Sequence, residues 1–240
     1  MKSITLASYA KINISIDVGE VMDNGYHPVD MIMCQVLLHD IVQMTIFQHD
    51  EKIDEKIDNA QIFKVEIPTV FKKSGEILEE NIKKIRPDVI LCIGQAGGSS
   101  SVSVERIAIN IDDARIADNF GEKPIDEKIR VDGENAYFSN LPIKKIVEEI
   151  KKEKIPAEIS NSAGTFVCNH LMYEALYLAK KYKNIKAGFI HIPYLPEQVL
   201  NKANTPSMDL ENSLKSINIA IKTIINHNGE DVKISGGKIL

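Results

Sequence analysis

Three residues able to carry nucleophilic and acid–base chemistry stand in contexts that a fold can bring together. They are Cys168 in "NSAGTFVCNHLMY", His191 in "GFIHIP" and Glu105 in "SVSVERIAIN". Cys168 falls at or near the first turn of a helix whose inward face is Leu171, Met172, Ala175 and Leu176. Exposed backbone N–H groups and the helix dipole at such a place favour a thiolate. Gly164 and Thr165, just before it, let the chain turn sharply from strand into helix. A thiolate nucleophile needs a base, usually histidine, itself oriented by a third group. His191 lies at the end of a strand, at the edge where doubly wound sheets place their sites. Glu105 is an acid interrupting a β-branched run, with Arg106 beside it as an ordinary ion-pair explanation. The competing reading of Cys168 is a small apolar residue under a helix, since free cysteine is among the most buried residue types. The residues by themselves leave both readings open.

The other candidates are weaker. Cys92 in "VILCIG" and Cys34 in "MIMCQVLL" read as core residues without a nearby base. His170 follows Cys168 by two positions, so on a helix it points well away from it, and it reads as a helix-surface or supporting histidine. His27, His39, His49 and His227 read as turn or surface residues. The stretch "INIDDARIADNFGEKPID" is dense in Asp, Asn, Arg and Gly, which suits a loop lining a site as well as a solvated turn.

To position these groups the chain offers alternating short strands and amphipathic helices from residue 88 onward. "DVILCIG" reads as a buried strand and "LPIKKIVEEIKKEK" as a helix with Ile143, Ile146, Val147 and Ile150 on one face. The strand "AEIS" follows, then a helix over about 168–181, the strand "KAGFIHIP", and a last helix over 209–227. That alternation predicts an α/β fold, three-layered α/β/α with a mostly parallel central sheet, of phosphorylase/hydrolase-like type. Residues 1–50 read as an atypical β segment. There "YAKINISIDV" and "DIVQMTIF" are strand-like and Asn24-Gly25 is a turn signal. The tandem "EKIDEKID" at 51–58 reads as a linker or a join, and 59–240 as the α/β domain.

With 240 residues, 44% apolar and 26% charged, the chain can bury a real core. Its 29 basic against 34 acidic residues give a formal charge of -5, and the basic residues are scattered among acids, which implies no nucleic-acid partner. Three cysteines at unmatched spacings argue against a disulfide framework or a zinc site, and fit a reducing cytoplasm. No apolar run approaches a membrane span, and the first residues lack the pattern of a secretory leader.

Over about residues 59–227 the sequence resembles the pyrrolidone-carboxylate peptidase (pyroglutamyl peptidase I) family of cytoplasmic cysteine peptidases. The blocks "GQAGGSSSVSVERIAINIDDARIADN", "NSAGTFVCNHLMY" and "GFIHIPYLPEQV" carry the resemblance, in the family's order. It implies Cys168 as nucleophile, His191 as general base and then acid, and Glu105 as the residue orienting the imidazole. It also implies Arg115 near the oxyanion, and Gln95, Phe166 and Val167 holding a pyrrolidone ring. The implied reaction releases an N-terminal pyroglutamyl residue from a peptide through a thioester, without metal or organic cofactor, in a protein commonly assembled as a homotetramer. Residues 7–47 instead resemble the opening of 4-diphosphocytidyl-methylerythritol kinase, through "AKINISIDV" and "DNGYHPVDMIM", which would put Lys11 and His27 at a kinase substrate site. The glycine-rich phosphate loop such a kinase needs is missing from the sequence, and so is the peptidase family's opening Gly-Phe-x-Pro-Phe-Gly-Gly loop. The combination reads as a kinase start joined to a peptidase near the repeat, with "DIVQMTIF" available to fill the place of the peptidase's first strand. An assembly subunit without turnover is the alternative to an active peptidase.

Overall fold

The computed structural model describes residues 10–18, 29–36, 43–48, 56–57, 60–227 and 229–237. The Asn24-Gly25 turn, His27, His39 and His49 lie outside the described residues. The chain divides into two compact units, Met1–Asp40 and Ile41–Leu240. In the first, β1 (Ala10–Val18) pairs antiparallel with β2 (Val29–Val36), from Ala10 opposite Val36 to Val18 opposite Val29, with an irregularity between Asn13 and Ser15.

The second unit begins with β3 (Gln43–Gln48), β4 (Lys56–Ile57) and β5 (Ala60–Glu66), then α1 (Lys73–Ile85) and β6 (Val89–Gln95). β7 (Val102–Glu105), β8 (Ile107–Ile109) and β9 (Ala136–Phe138) follow, and α2 (Ile143–Lys152), β10 (Ala157–Ser160), α3 (Val167–Tyr182), β11 (Lys186–Ile192) and α4 (Leu210–Asn226) complete it. The central sheet runs β10-β7-β11-β6-β3-β5-β4. Pairing is parallel in β10–β7 and β11–β6, and antiparallel in β7–β11, β6–β3, β3–β5 and β5–β4. β3, from "DIVQMTIF", therefore lies inside the sheet, hydrogen-bonded to β6 on one side and β5 on the other. The second copy of the repeat supplies the edge strand β4. Strand β5 and helix α1 occupy a stretch that the sequence reading leaves unassigned.

The α/β architecture is the expected one, with helices on both faces of the sheet. β6 and β11 sit next to each other in the middle of the sheet, and both are buried along their length, which is why "VILCIG" and "AGFI" read as continuous apolar runs. On one face α2 buries Ile143, Ile146, Val147 and Ile150, the spacing of one helical stripe, and packs with α4 against Val102, Val104, Ile190 and Leu91. Asp231 accepts the Lys144 and Lys145 N–H groups at 2.9 and 3.0 Å, capping a helix whose own preceding residue, Pro142, offers no side-chain cap. α4 starts at Asp209, whose carboxylate accepts the Asn212 N–H at 2.7 Å.

The other face holds α1 and α3 over Ile90, Cys92 and Phe189. α3 is buried nearly all round, so its polar residues need partners. Asn169 takes the Ile109 N–H and gives hydrogen bonds to the Ile109 and Ile111 carbonyls, tying α3 to β8. Glu174, 5% exposed, receives both Nε and Nη2 of Arg130 at 2.7 and 2.8 Å. Arg130→Ala strands that carboxylate in the core, and is expected to lower unfolding free energy by about 3 kcal/mol, with Glu174→Leu in the same chain recovering much of it. Urea midpoints of the three variants check this. No helix among the described residues is long and apolar enough to cross a membrane.

Candidate active site

Each of the three sequence candidates is delivered by a different element of the second unit. Glu105 is the last residue of β7, His191 stands near the end of β11, and Cys168 is the second residue of α3. The sheet order makes β7 the neighbour of β11, so Glu105 and His191, 86 residues apart, meet in a buried hydrogen bond of 2.7 Å between Oε1 and Nδ1. Both are nearly inaccessible, at 2% and 7% exposed. The other nitrogen of the imidazole is turned away from Glu105, and the Cys168 sulfur lies beside Gly94, the residue opposite His191 in the neighbouring strand. Arg106, the ordinary explanation for Glu105, points elsewhere and donates to the Gly236 carbonyl.

Burial opposes a charge on His191, but the hydrogen bonds to Cys168 and Glu105 outweigh it and raise its pKa to about 9. The ring is also held from the side by Phe189, at 4.6 Å between centroids. Opposite His191 in the β6–β11 register is Gly94. A Cβ there would fall 3.2 Å from the Cys168 sulfur and 2.8 Å from Phe189 Cζ, so the missing side chain makes room for that sulfur. Cys92, two residues earlier on β6, is fully buried, and burial pushes its thiol up, with Cys168 adding to the effect. That leaves it an inert core residue, as its apolar context suggests.

α3 begins without a side-chain cap: its N-cap, Phe166, is extended, and Gly164 before it takes φ 79. Uncapped N–H groups at a helix start form a site for developing negative charge beside Cys168. Thr165 is bound to Asp113 in both directions, its hydroxyl donating to the Asp113 carbonyl at 2.7 Å and its carbonyl accepting the Asp113 N–H at 3.0 Å. This brings the loop carrying Arg115 to the start of α3, with Arg115 exposed.

This constellation of buried carboxylate, imidazole and helix-start thiol has the layout of nucleophilic acyl transfer. A model of the pyroglutamyl peptidase family matches residues 45–227. The chain belongs to that family. By that membership it is an enzyme, a cysteine peptidase. It is 61% identical over 180 residues to the pyrrolidone-carboxylate peptidase of Thermosipho africanus, covering 75% of this chain and 88% of that one. It is 58% identical over 188 residues to that of Clostridium perfringens, covering 78% and 88%. Among solved structures, pyroglutamyl peptidase I of Bacillus amyloliquefaciens aligns with a TM-score of 0.67 at 50% identity, over 69% of this chain and 80% of that one. The pyrrolidone carboxyl peptidase of Thermococcus litoralis aligns with a TM-score of 0.68 at 41% identity, over 70% and 81%. The family match reaches upstream across the repeat and into β3.

Of the residues expected around a ligand of this pyroglutamyl peptidase family member, Phe166 is partly buried and meets Phe71 edge-on at 5.2 Å. Val167 is fully buried, its side chain packed inward with Phe71 and Ala114. Gln95, at the end of β6, exchanges two amide hydrogen bonds with Gln198 at 2.7 and 2.9 Å and donates to the Pro193 carbonyl, fixing the turn Pro196–Val199 at this edge of the sheet. Of the two readings of His170, surface or supporting, the surface one is excluded: the residue is 2% exposed and paired with Asp112. Phe71, Gly94 and Gln198 are the site neighbours that sequence reasoning misses. Only Gly94 carried a signal, a glycine ending an otherwise apolar strand.

Proposed function

We propose that the chain removes N-terminal pyroglutamyl residues from peptides. The observation that carries this reading is the buried Glu105–His191 pair with the Cys168 sulfur beside it at the start of α3. The Cys168 sulfur attacks the pyroglutamyl carbonyl carbon, and the oxyanion that forms is stabilised by helix-start N–H groups and Arg115. The carbon–nitrogen bond breaks as His191 gives its proton to the departing amine, leaving a thioester on Cys168. A water molecule, deprotonated by His191, then attacks the thioester carbonyl and frees pyroglutamate and the thiol. Glu105 holds the imidazole in the tautomer these transfers need. Gln95 and Phe166 hold the pyrrolidone ring, with Val167 buried behind Phe166 and supporting it.

The test is substrate choice: pyroglutamyl-aminomethylcoumarin is expected to be hydrolysed at least about 100-fold faster than prolyl-aminomethylcoumarin, which lacks the ring carbonyl. Equal rates would overturn the assignment. Exposed apolar side chains at Ile116, Phe120, Ile125 and Phe138 support assembly as a homo-oligomer, a tetramer by the family resemblance. Sedimentation is expected to give four chains' mass, and a single chain's mass at working concentration would count against it. The proposed setting is the cytoplasm. The kinase-like opening and the join at 51–58 are proposed as a matter of origin, with no phosphoryl transfer assigned to Lys11 or His27. ATP-dependent phosphorylation of a diphosphocytidyl sugar alcohol would contradict that.

A further inference from the structure

Two residues past Cys168 lies a second buried acid–imidazole pair, which the reaction above does not use. His170 Nδ1 sits 2.8 and 3.1 Å from the two carboxylate oxygens of Asp112, and both residues are buried. His170 Nε2 accepts the backbone N–H of Lys72 at 3.2 Å. That N–H can only donate, so Nε2 is the bare nitrogen and Nδ1 carries the proton that faces Asp112. Lys72 stands at φ 59 and ψ -51, the centre of a γ-turn closed by the Lys73 N–H on the Phe71 carbonyl. This backbone state is rare and strained for a residue with a Cβ, and persists only where surrounding contacts enforce it. The preceding N–H, of Phe71, is held by the Asp118 carboxylate at 2.8 Å. Two buried side chains from separate segments thus grip consecutive backbone N–H groups. The Phe71 ring between them meets both Phe166, at 5.2 Å, and the His170 ring, at 5.8 Å.

A buried histidine is ordinarily a satisfied core residue. Here it enforces a strained turn whose aromatic side chain backs Phe166, two residues before the nucleophile. We propose that His170, oriented by Asp112, is a positioning residue for substrate recognition: it holds the Phe71–Lys72 turn so that the buried Phe71 ring backs Phe166, the apolar wall on which the ring of the acyl group rests. This rests on the pyroglutamyl reading above. Since Nε2 is committed to a backbone N–H, His170 exchanges no proton with Cys168, and its loss weakens binding while leaving the sulfur's reactivity intact.

His170→Leu removes the acceptor, whereas His170→Gln keeps one at the reach of Nε2. With pyroglutamyl-aminomethylcoumarin, His170→Leu is expected to raise KM about ten-fold or more, while kcat and the rate of iodoacetamide alkylation of Cys168 stay within about three-fold. His170→Gln is expected nearer the parent, and adding Lys72→Gly, which takes positive φ freely, to recover part of the KM. Asp112→Asn, which keeps an acceptor for the Nδ1 proton, is the milder variant should His170→Leu fail to fold, with a smaller KM rise expected. Unchanged KM in folded His170→Leu, or kcat and alkylation falling together at constant KM, would overturn the proposal. A parent without turnover would refute the functional reading instead. Amide exchange then decides the contact: the Lys72 N–H is expected to exchange faster in His170→Leu than in the parent, and equal rates would refute the positioning role.

Discussion

Cys168→Ala is expected to lower kcat on a pyroglutamyl amide by at least about 10⁴-fold, because removing a nucleophile removes the covalent route and leaves only the binding and oxyanion contributions. The loss should come without unfolding. Cys168 is partly exposed, and the change deletes a single sulfur atom, so melting should shift by only a few degrees. Cys92→Ala separates the two thiols. That residue is fully buried among Ile90, Leu171 and Phe189, and its loss should cost stability while sparing kcat.

Glu105→Gln is expected to lower kcat by about 10³–10⁴-fold through the imidazole tautomer. Oε1 accepts the His191 Nδ1 proton at 2.7 Å, while Oε2 is buried without a hydrogen-bond partner. An amide cannot replace this arrangement. If its oxygen faces Nδ1, the NH₂ group is buried without an acceptor; if the NH₂ faces Nδ1, the imidazole must carry its proton on Nε2, where it cannot take one from Cys168. The pH dependence follows from the same contacts. His191 sits at about 9 when folded, above its ordinary 6.5, so it contributes stability that is full below about 6.5 and is lost as pH rises through about 9. In the parent, kcat/KM is expected to fall as pH rises through about 9, when the imidazolium that protonates the leaving amine is lost. Glu105→Gln should move that alkaline limb to lower pH, and an unmoved limb would remove His191 as its source.

The site was legible where a local rule was broken. An acid inside a β-branched run marked Glu105, a cysteine after Gly-Thr at a helix start marked Cys168, and a strand-end histidine marked His191. Their meeting was implied by the family resemblance but not legible in local pattern, since it depends on β7 lying beside β11, a pairing fixed by distant strands. Helix α3 shows why His170 was left between a surface and a supporting role. Apolar residues surround this helix, so period alone does not say which histidine faces solvent. Phe71 and Lys72 were silent for another reason: nothing in "PTVFKK" signals a positive φ, which a lysine adopts here because Asp118 and His170 hold the consecutive N–H groups of Phe71 and Lys72. The strand character of "DIVQMTIF" was readable, whereas its antiparallel place between β6 and β5 came from the shape of the gap it fills.

The central claim is that acyl transfer passes through the sulfur of Cys168. Acid-quenching the enzyme within the first turnovers on pyroglutamyl-aminomethylcoumarin, followed by peptide mass mapping, measures this directly. The account predicts one pyroglutamyl group on the peptide containing Cys168, removed by hydroxylamine and missing in Cys168→Ala. Turnover with no adduct at Cys168, continuing undiminished in Cys168→Ala, would contradict it.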